Sequence, residues 1–490
     1  MRISHASARK VDQNVDLESS SRPQKNRLNL ILWLLGVITI IALYLGGIFS
    51  YLLEEDFTNY ERSTRIDNFR EVIEAIDRKC LTSMNHNFTK ACGQADIVNI
   101  LETMSAEHPS IKNVVPLNQF DGFNYTINIK PKCQELWRHD RSNSKTYANV
   151  TSLDAFTTMI LIVKSAVNNH AQRQAIRKSW YLNETTNDLI ALRTVFMVGA
   201  CHERNPVPSR GPLTENFKSW SPDKCDKAIR NESARYGDVI QSSAIDTYYN
   251  NTIKTFMTYR WVVEHCHADF MMALDDDYVF EVENLLTYLR SLSSLNIRDD
   301  SLVKSLPLDP PINGESSHQN PIVVKSSNQG TSSRDNLPES QQDKLRGLSN
   351  LRSLSEQYLY AGYLMNYVHP LRSVLSKWYI SRRDYAYNTY PPYITGGAYL
   401  MSFKTIRHFY LTSFFVRSFR FDDVYVGMMA YELGLSPIHN ELFMCDINAY
   451  IAAKPVYPNT TNCIGVHEIE PDELINLWKK RKALRVQSVS

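Results

Sequence analysis

Three consecutive aspartates, Asp275, Asp276 and Asp277, follow the apolar run FMMAL. In an extended segment alternate side chains share a face, so Asp275 and Asp277 point one way and Asp276 the other. Adjacent carboxylates repel one another unless a cation offsets them. A divalent ion with oxygen ligands does this and can also bridge a diphosphate. The triplet alone also describes a solvated acidic turn; the buried run ahead of it favours the metal. Arg173 and Arg177 lie four residues apart and share a face on a helix. Near a helix start such a pair suits an anionic diphosphate, although a basic surface helix has the same pattern. Phe421-Asp422-Asp423-Val424 opens another helix. Carboxylates in a first turn complement the macrodipole; the chemical alternative makes Asp423 a general base aimed into a cleft. Gly396 and Gly397, in YPPYITGGAY, let backbone approach a ligand closely or form a turn between strands. His467 follows CIGV, and taken alone a single histidine is more often structural than a ligand.

Such groups need a scaffold. MILIVKSAV (159–167), TVFMVGA (194–200) and FMMAL (270–274) read as buried strands, with a short strand at 238–241. Residues 171–180, 251–266 and 283–292 have helical apolar spacing. This alternation, from about residue 152, predicts an α/β domain with a mostly parallel sheet. Ligands in such sheets bind beyond the carboxyl ends of the strands, where the three aspartates fall. Residues 293–357 hold no aromatic residue and are rich in Ser, Asn, Gln and Pro, which predicts a disordered or loosely held insertion.

The chain of 490 residues is 43% hydrophobic, which excludes a wholly disordered protein. Lys+Arg of 54 against Asp+Glu of 52 leaves a net charge of +2, which argues against a general nucleic-acid binder. Residues 28–53 carry no charge and are long enough to span a bilayer. Arg2, Arg9, Lys10, Arg22, Lys25 and Arg27 precede them and Glu54-Glu55-Asp56 follows, so the positive-inside rule predicts a type II signal-anchor. A cleaved signal peptide is the alternative. The division is then a cytoplasmic tail (1–27), a transmembrane anchor (28–53), a lumenal stem (54–151) and a catalytic domain (152–483). All eight cysteines lie on the oxidising side, with pairing left open. Seven N-x-S/T sequons, at Asn87, Asn124, Asn149, Asn183, Asn231, Asn250 and Asn459, agree with a glycosylated lumenal chain.

Taken in order, SAVNNHAQRQAIRKSW, YGDVIQSSAIDTYYNNTIKTFMTYRW, DDDY, HPLRSVLSKWYIS, YPPYITGGAYLMS, FRFDDVYVG and HEIEPDELINLW resemble the β1,3-glycosyltransferase family (glycosyltransferase family 31). This family of Golgi type II enzymes includes β1,3-galactosyl- and β1,3-N-acetylglucosaminyltransferases; the resemblance is strongest to its invertebrate brainiac branch. It covers roughly residues 159–300 and 358–480. It implies a Rossmann-like GT-A fold, a UDP-sugar donor, a divalent metal (usually manganese), and inversion to a β1,3 link. Carried over residue by residue, Asp275, Asp277 and His467 become metal ligands and Asp423 the base. Arg173, Arg177, Trp180, Asp275, Asp276, Gly396 and Gly397 fall in the donor site. The implied donor is UDP-N-acetylglucosamine or UDP-galactose and the acceptor a glycolipid or glycoprotein glycan, at the Golgi membrane. The broader family usually has Glu-Asp where this chain, like the brainiac branch, has Asp422-Asp423, and the 293–357 insertion is not a family feature. A non-catalytic lumenal chaperone or a glycan-binding protein on the same fold is the competing reading; the presence of DDD, FDDVYVG and YPPY favours catalysis.

Overall fold

The computed structural model describes residues 35–38, 68–83, 92–107, 114–129, 157–182, 190–202, 221–266, 268–294, 339–445 and 463–489. They belong to two compact units, residues 1–59 with 372–388 and residues 60–371 with 389–490. In the first, residues 35–38 are helical. Its other segment is a loop that Arg372 ties together by donating to the carbonyls of Ile380, Tyr385 and Tyr387. The expected anchor lies outside the described residues apart from 35–38. No helix among the described residues is long and apolar enough to cross a membrane.

The second unit begins with α1 (Phe69–Ser83), α2 (Gln94–Glu107) and β1 (Tyr125–Ile127), from the stretch read as a stem. There follow β2 (Thr157–Lys164), α3 (His170–Arg177), β3 (Ile190–Ala200), α4 (Pro222–Tyr236), β4 (Val239–Ile245), α5 (Asn251–Trp261), β5 (Phe270–Asp275), β6 (Val279–Phe280) and α6 (Val282–Ser294). After α7 (Glu339–Ser355) come β7 (Tyr360–Met365), β8 (Tyr393–Ser402), α8 (Phe403–Thr412), α9 (Asp422–Glu432), β9 (Ile438–His439), β10 (Gly465–Val466) and α10 (Pro471–Val489).

The main sheet has the order β1-β4-β3-β2-β5-β8-β7-β9, and β6 pairs with β10 in a second small sheet. β4, β3, β2 and β5 run parallel, whereas β8 is antiparallel to both β5 and β7. β2 is buried along its whole length, which is why it reads as an apolar run rather than an alternation. From β2 the chain winds outward through β3 to β4, then returns to the other side of β2 as β5. That reversal is a topological switch point, where open α/β sheets leave a ligand crevice. Lys164 and Asp275, the last residues of β2 and β5, are register partners there.

The stem-region elements are built into this unit. β1 pairs with β4, and Asp77 of α1 accepts from Arg407 (2.6 Å) on α8. Disulfides join Cys80 to Cys92, Cys201 to Cys225 and Cys445 to Cys463; Cys266 is also disulfide-bonded. Asn124 and Asn231 are exposed, as glycan attachment requires; Asn87, Asn149, Asn183 and Asn459 lie outside the described residues. One expectation needs correcting. The C-terminal part of the supposed disordered insertion is the helix α7, and Leu348, Leu351 and Leu354 bury a stripe against the core. Leucines three residues apart supply that face without any aromatic residue.

α9 lies against β8 at Gly427, where a Cβ would overlap Tyr393 and come within 2.9 Å of the Pro392 carbonyl oxygen. Gly427→Ala is therefore expected to destabilise the protein by about 1–3 kcal/mol through overpacking. A fall in the thermal midpoint would register this; an unchanged midpoint would show that α9 can shift freely.

Candidate active site

β5 ends at Asp275, and the tight turn after it aims Asp275 and Asp277 to one side. β6 then pairs with β10, Val279 opposite Val466, and so delivers His467 to the same place. The His467 ring stacks on Tyr278 at 4.8 Å between centroids, and its Nε2 lies 3.2 Å from Asp277 Oδ1. Asp275, Asp277 and His467 each offer a ligand atom, all within 4.8 Å of one another. Asp277 Oδ1 is buried but accepts no well-formed hydrogen bond. Two carboxylates and an imidazole around such an oxygen fit a divalent ion of the manganese kind. Burial opposes the imidazolium form of His467, but Asp277 and then Asp275 raise its pKa. Burial, with Asp277 and Asp422 nearby, raises the pKa of Asp275 despite the pull of Lys164.

The backbone around this cluster is braced from behind. Trp180, fully buried, donates from Nε1 to the Tyr278 carbonyl (2.9 Å), and the Ile469 N–H donates to the Asp277 carbonyl (2.9 Å). Gly397 gives the Tyr278 ring its place, since a Cβ there would lie 2.6 Å from it. The two glycines sit inside β8 rather than in a turn. Asp276 faces inward, as the alternation predicts. It accepts from Ser165 Oγ (2.5 Å) and Asn169 Nδ2 (3.0 Å), and burial pushes its pKa up to about 6.

On the opposite wall, α9 presents Asp422 and Asp423. Asp422 is the first residue of α9, and its Oδ2 accepts from Lys164 Nζ (2.7 Å) and Thr255 Oγ1 (3.1 Å). Burial alone would raise the Asp422 pKa, but the Lys164 charge and these hydrogen bonds lower it. Asp423 is pushed up to about 7, first by burial and then by the Asp422 charge. Its Oδ1 accepts from the Val424 N–H (2.8 Å), and the Gly396 backbone adds a hydrogen bond. A carboxylate titrating near neutrality is suited to taking a proton. The same Lys164 ammonium lies 3.3 Å from Asp275 Oδ1 and donates to the Gly396 carbonyl (3.1 Å). Sequence reading passed over Lys164, although a lysine ending a wholly buried strand has to be paired.

The donor-site expectations for Arg173, Arg177 and Trp180 need correcting. Arg173 is 0% exposed, and its guanidinium is used up by Glu232, Ser165 Oγ and the carbonyls of Ala166 and Val167. Arg177 grips Asp238 through two bonds of 2.8 Å. Their charge is already balanced inside the fold. Burial notwithstanding, Arg173, His170 and Arg177 hold the Glu232 carboxyl well below the usual range. These arginines, like Trp180, shape the loop after β2 instead of presenting charge to a ligand. Arg173→Lys keeps the charge but loses the two-pronged contact, and is expected to cost about 2 kcal/mol of stability. Thermal denaturation would detect it, with UDP affinity of the folded fraction unchanged; weakened UDP binding at full stability would restore Arg173 to the donor site.

Comparisons with known proteins agree on the class of chemistry. The Galactosyltransferase family matches residues 218–319 and 344–441. The Drosophila melanogaster β1,3-galactosyltransferase brn is 28% identical over 330 residues, covering 67% of this chain and 75% of that protein. The human lactosylceramide 1,3-N-acetyl-β-D-glucosaminyltransferase is 24% identical over 424 residues, covering 85% and 83%. Mouse β1,3-galactosyltransferase 1 is 25% identical over 321 residues, covering 65% and 72%. Among solved structures, the galactosyltransferase LgtC with donor and acceptor sugar analogues aligns at 10% identity and a TM-score of 0.26, covering 66% of this chain and 96% of that chain, which is too slight to carry an argument.

Proposed function

This chain belongs to the β1,3-glycosyltransferase family, and we propose that it moves a hexose from a UDP-sugar to the 3-hydroxyl of a glycan with inversion. The observation that carries the reading is the convergence of the Asp275–Asp277–His467 cluster and the α9 carboxylates on one ammonium, Lys164. A nucleotide-sugar transferase needs a diphosphate-side cation site and an acceptor-side base facing a common space. The domain is of the GT-A type in this reading. Manganese would be held by Asp275, Asp277 and His467 and would supply Lewis acidity toward the departing UDP. Asp423 accepts the proton of the acceptor 3-hydroxyl as that oxygen forms its bond to the anomeric carbon. The bond to UDP breaks on the opposite face, so a single displacement inverts the centre without a covalent enzyme intermediate. A Cβ at Gly396 would lie 3.4 Å from the Asp423 Cβ, so glycine at this position keeps the base uncrowded.

The donor is UDP-N-acetylglucosamine or UDP-galactose, since relatives bearing both names align along most of the chain. Relatives named for lactosylceramide support a glycolipid glycan as acceptor, with a glycoprotein glycan as the other candidate. Residues 28–53 act as a signal-anchor at the Golgi membrane in this reading. The disulfides and exposed sequons support a lumenal catalytic domain. The test is a transfer assay of the full chain in detergent. Both UDP-sugars are offered with manganese to β-galactosyl, β-mannosyl and N-acetylglucosaminyl acceptors. Product with a new β1,3 link supports the reading; no transfer and no UDP-sugar hydrolysis with any pair would overturn it.

A further inference from the structure

The proposed reaction uses a cation site at the end of β5 and a base at the start of α9. Nothing in that chemistry requires a protein cation between them, yet Lys164 is there. Its side chain is 6% exposed, and three acceptors surround its ammonium: Asp422 Oδ2 (2.7 Å), Gly396 O (3.1 Å) and Asp275 Oδ1 (3.3 Å). These belong to α9, β8 and β5, while Lys164 itself ends β2. One side chain therefore ties together the four elements that form the crevice.

We propose that Lys164 is a positioning residue that fixes the separation between the donor-side carboxylate Asp275 and the acceptor-side pair Asp422–Asp423. The inference rests on the transferase reading above. The crevice carries a surplus of negative charge. Asp275, Asp277, Asp422 and Asp423 share the crevice, and like charges in a partly dry site push apart. An ammonium between Asp275 and Asp422 holds the two walls together before any metal or donor arrives. Asp422, pinned by Lys164 and by Thr255 of α5, then sets where the next residue, Asp423, begins its turn of helix. Misplacement of a reacting group by about 1 Å can cost 100-fold in rate, so such a strut matters for turnover.

The position of the charge makes the test sharp. Lys164 is a fixed cation beside a candidate metal ligand and thus opposes manganese electrostatically. Removing it should relax the geometry but not weaken the ion. In Lys164→Met, manganese affinity, read from the free-ion electron paramagnetic resonance signal of the full chain without donor, is expected to equal or exceed the wild-type value. At saturating manganese and UDP-sugar, kcat is expected to fall at least 10-fold, with a smaller change in donor KM. In a variant that melts like wild type, loss of manganese affinity along with kcat would overturn the proposal, as would a kcat within 2-fold of wild type. Should Lys164→Met fail to fold, Asp422→Asn reads the same bridge from its other end. It should lower kcat at least 10-fold with manganese affinity unchanged, and unchanged kcat there sinks the idea. Wild-type enzyme inactive with every donor would instead refute the transferase reading.

Discussion

Asp423→Asn is expected to lower turnover by roughly 100-fold or more while UDP still binds. Asparagine keeps the shape of the side chain and can still accept from the Val424 N–H. What it cannot do is take up a proton from the acceptor hydroxyl. A loss confined to kcat, with donor KM near wild type, is the pattern of an interaction made in the transition state. Normal turnover would remove the base assignment.

The pH dependence follows from the same residue. Burial and the Asp422 charge push Asp423 up to about 7, so below that pH its carboxyl is neutral and useless as a base. kcat/KM is expected to rise with pH through about 7 and then level off, and the variant should lack this rise. Stability runs the other way. Because the folded pKa exceeds the ordinary carboxylate value, the stability associated with the neutral form is present at low pH and is lost as pH rises through about 7. Asparagine does not ionise, so the variant should melt above wild type at pH 8. Lower activity accompanied by a lower melting point at pH 8 would indicate damage rather than a missing base.

The parts of this site that were legible in the sequence obey local rules. Strand alternation separates Asp275 and Asp277 from Asp276, and the structure has Asp276 turned inward to Ser165 and Asn169. The buried strands and the helices between them follow from apolar runs and helical spacing. What stayed hidden depends on which elements become neighbours. Arg173 and Arg177 do share a helix, but α4, far along the chain, supplies the Glu232 that neutralises them. Pairing Lys164 with Asp275 requires β5 to lie beside β2, which no local pattern encodes. His467 is given a metal-ligand role only through family resemblance, and it is the β6–β10 pairing that carries it to Asp277. α7 was misread because composition was weighed over the spacing of its leucines.

The second large effect belongs to Asp277→Ala. In the intact protein its Oδ1 is buried without a well-formed hydrogen bond and faces the His467 ring at 3.2 Å. That oxygen is set against an imidazole, and a divalent ion binds most effectively where such ligands already converge. Alanine removes that oxygen and leaves Asp275 and His467 as a two-ligand remnant. Manganese-dependent UDP binding is expected to weaken by about 100-fold or more, beyond the 10–100-fold usual for residues that only support a ligand. UDP titrations with manganese and with a chelator measure it: the wild type should lose affinity on chelation, whereas the variant should be weak under both conditions. Asp276→Asn supplies the contrast. Its carboxylate is engaged with Ser165 and Asn169, so this substitution should disturb the loop after β2 and the melting point before it disturbs the metal. If Asp276→Asn abolishes the manganese dependence and Asp277→Ala preserves it, the ion sits on the other face of the turn and the geometry assigned to the crevice is wrong.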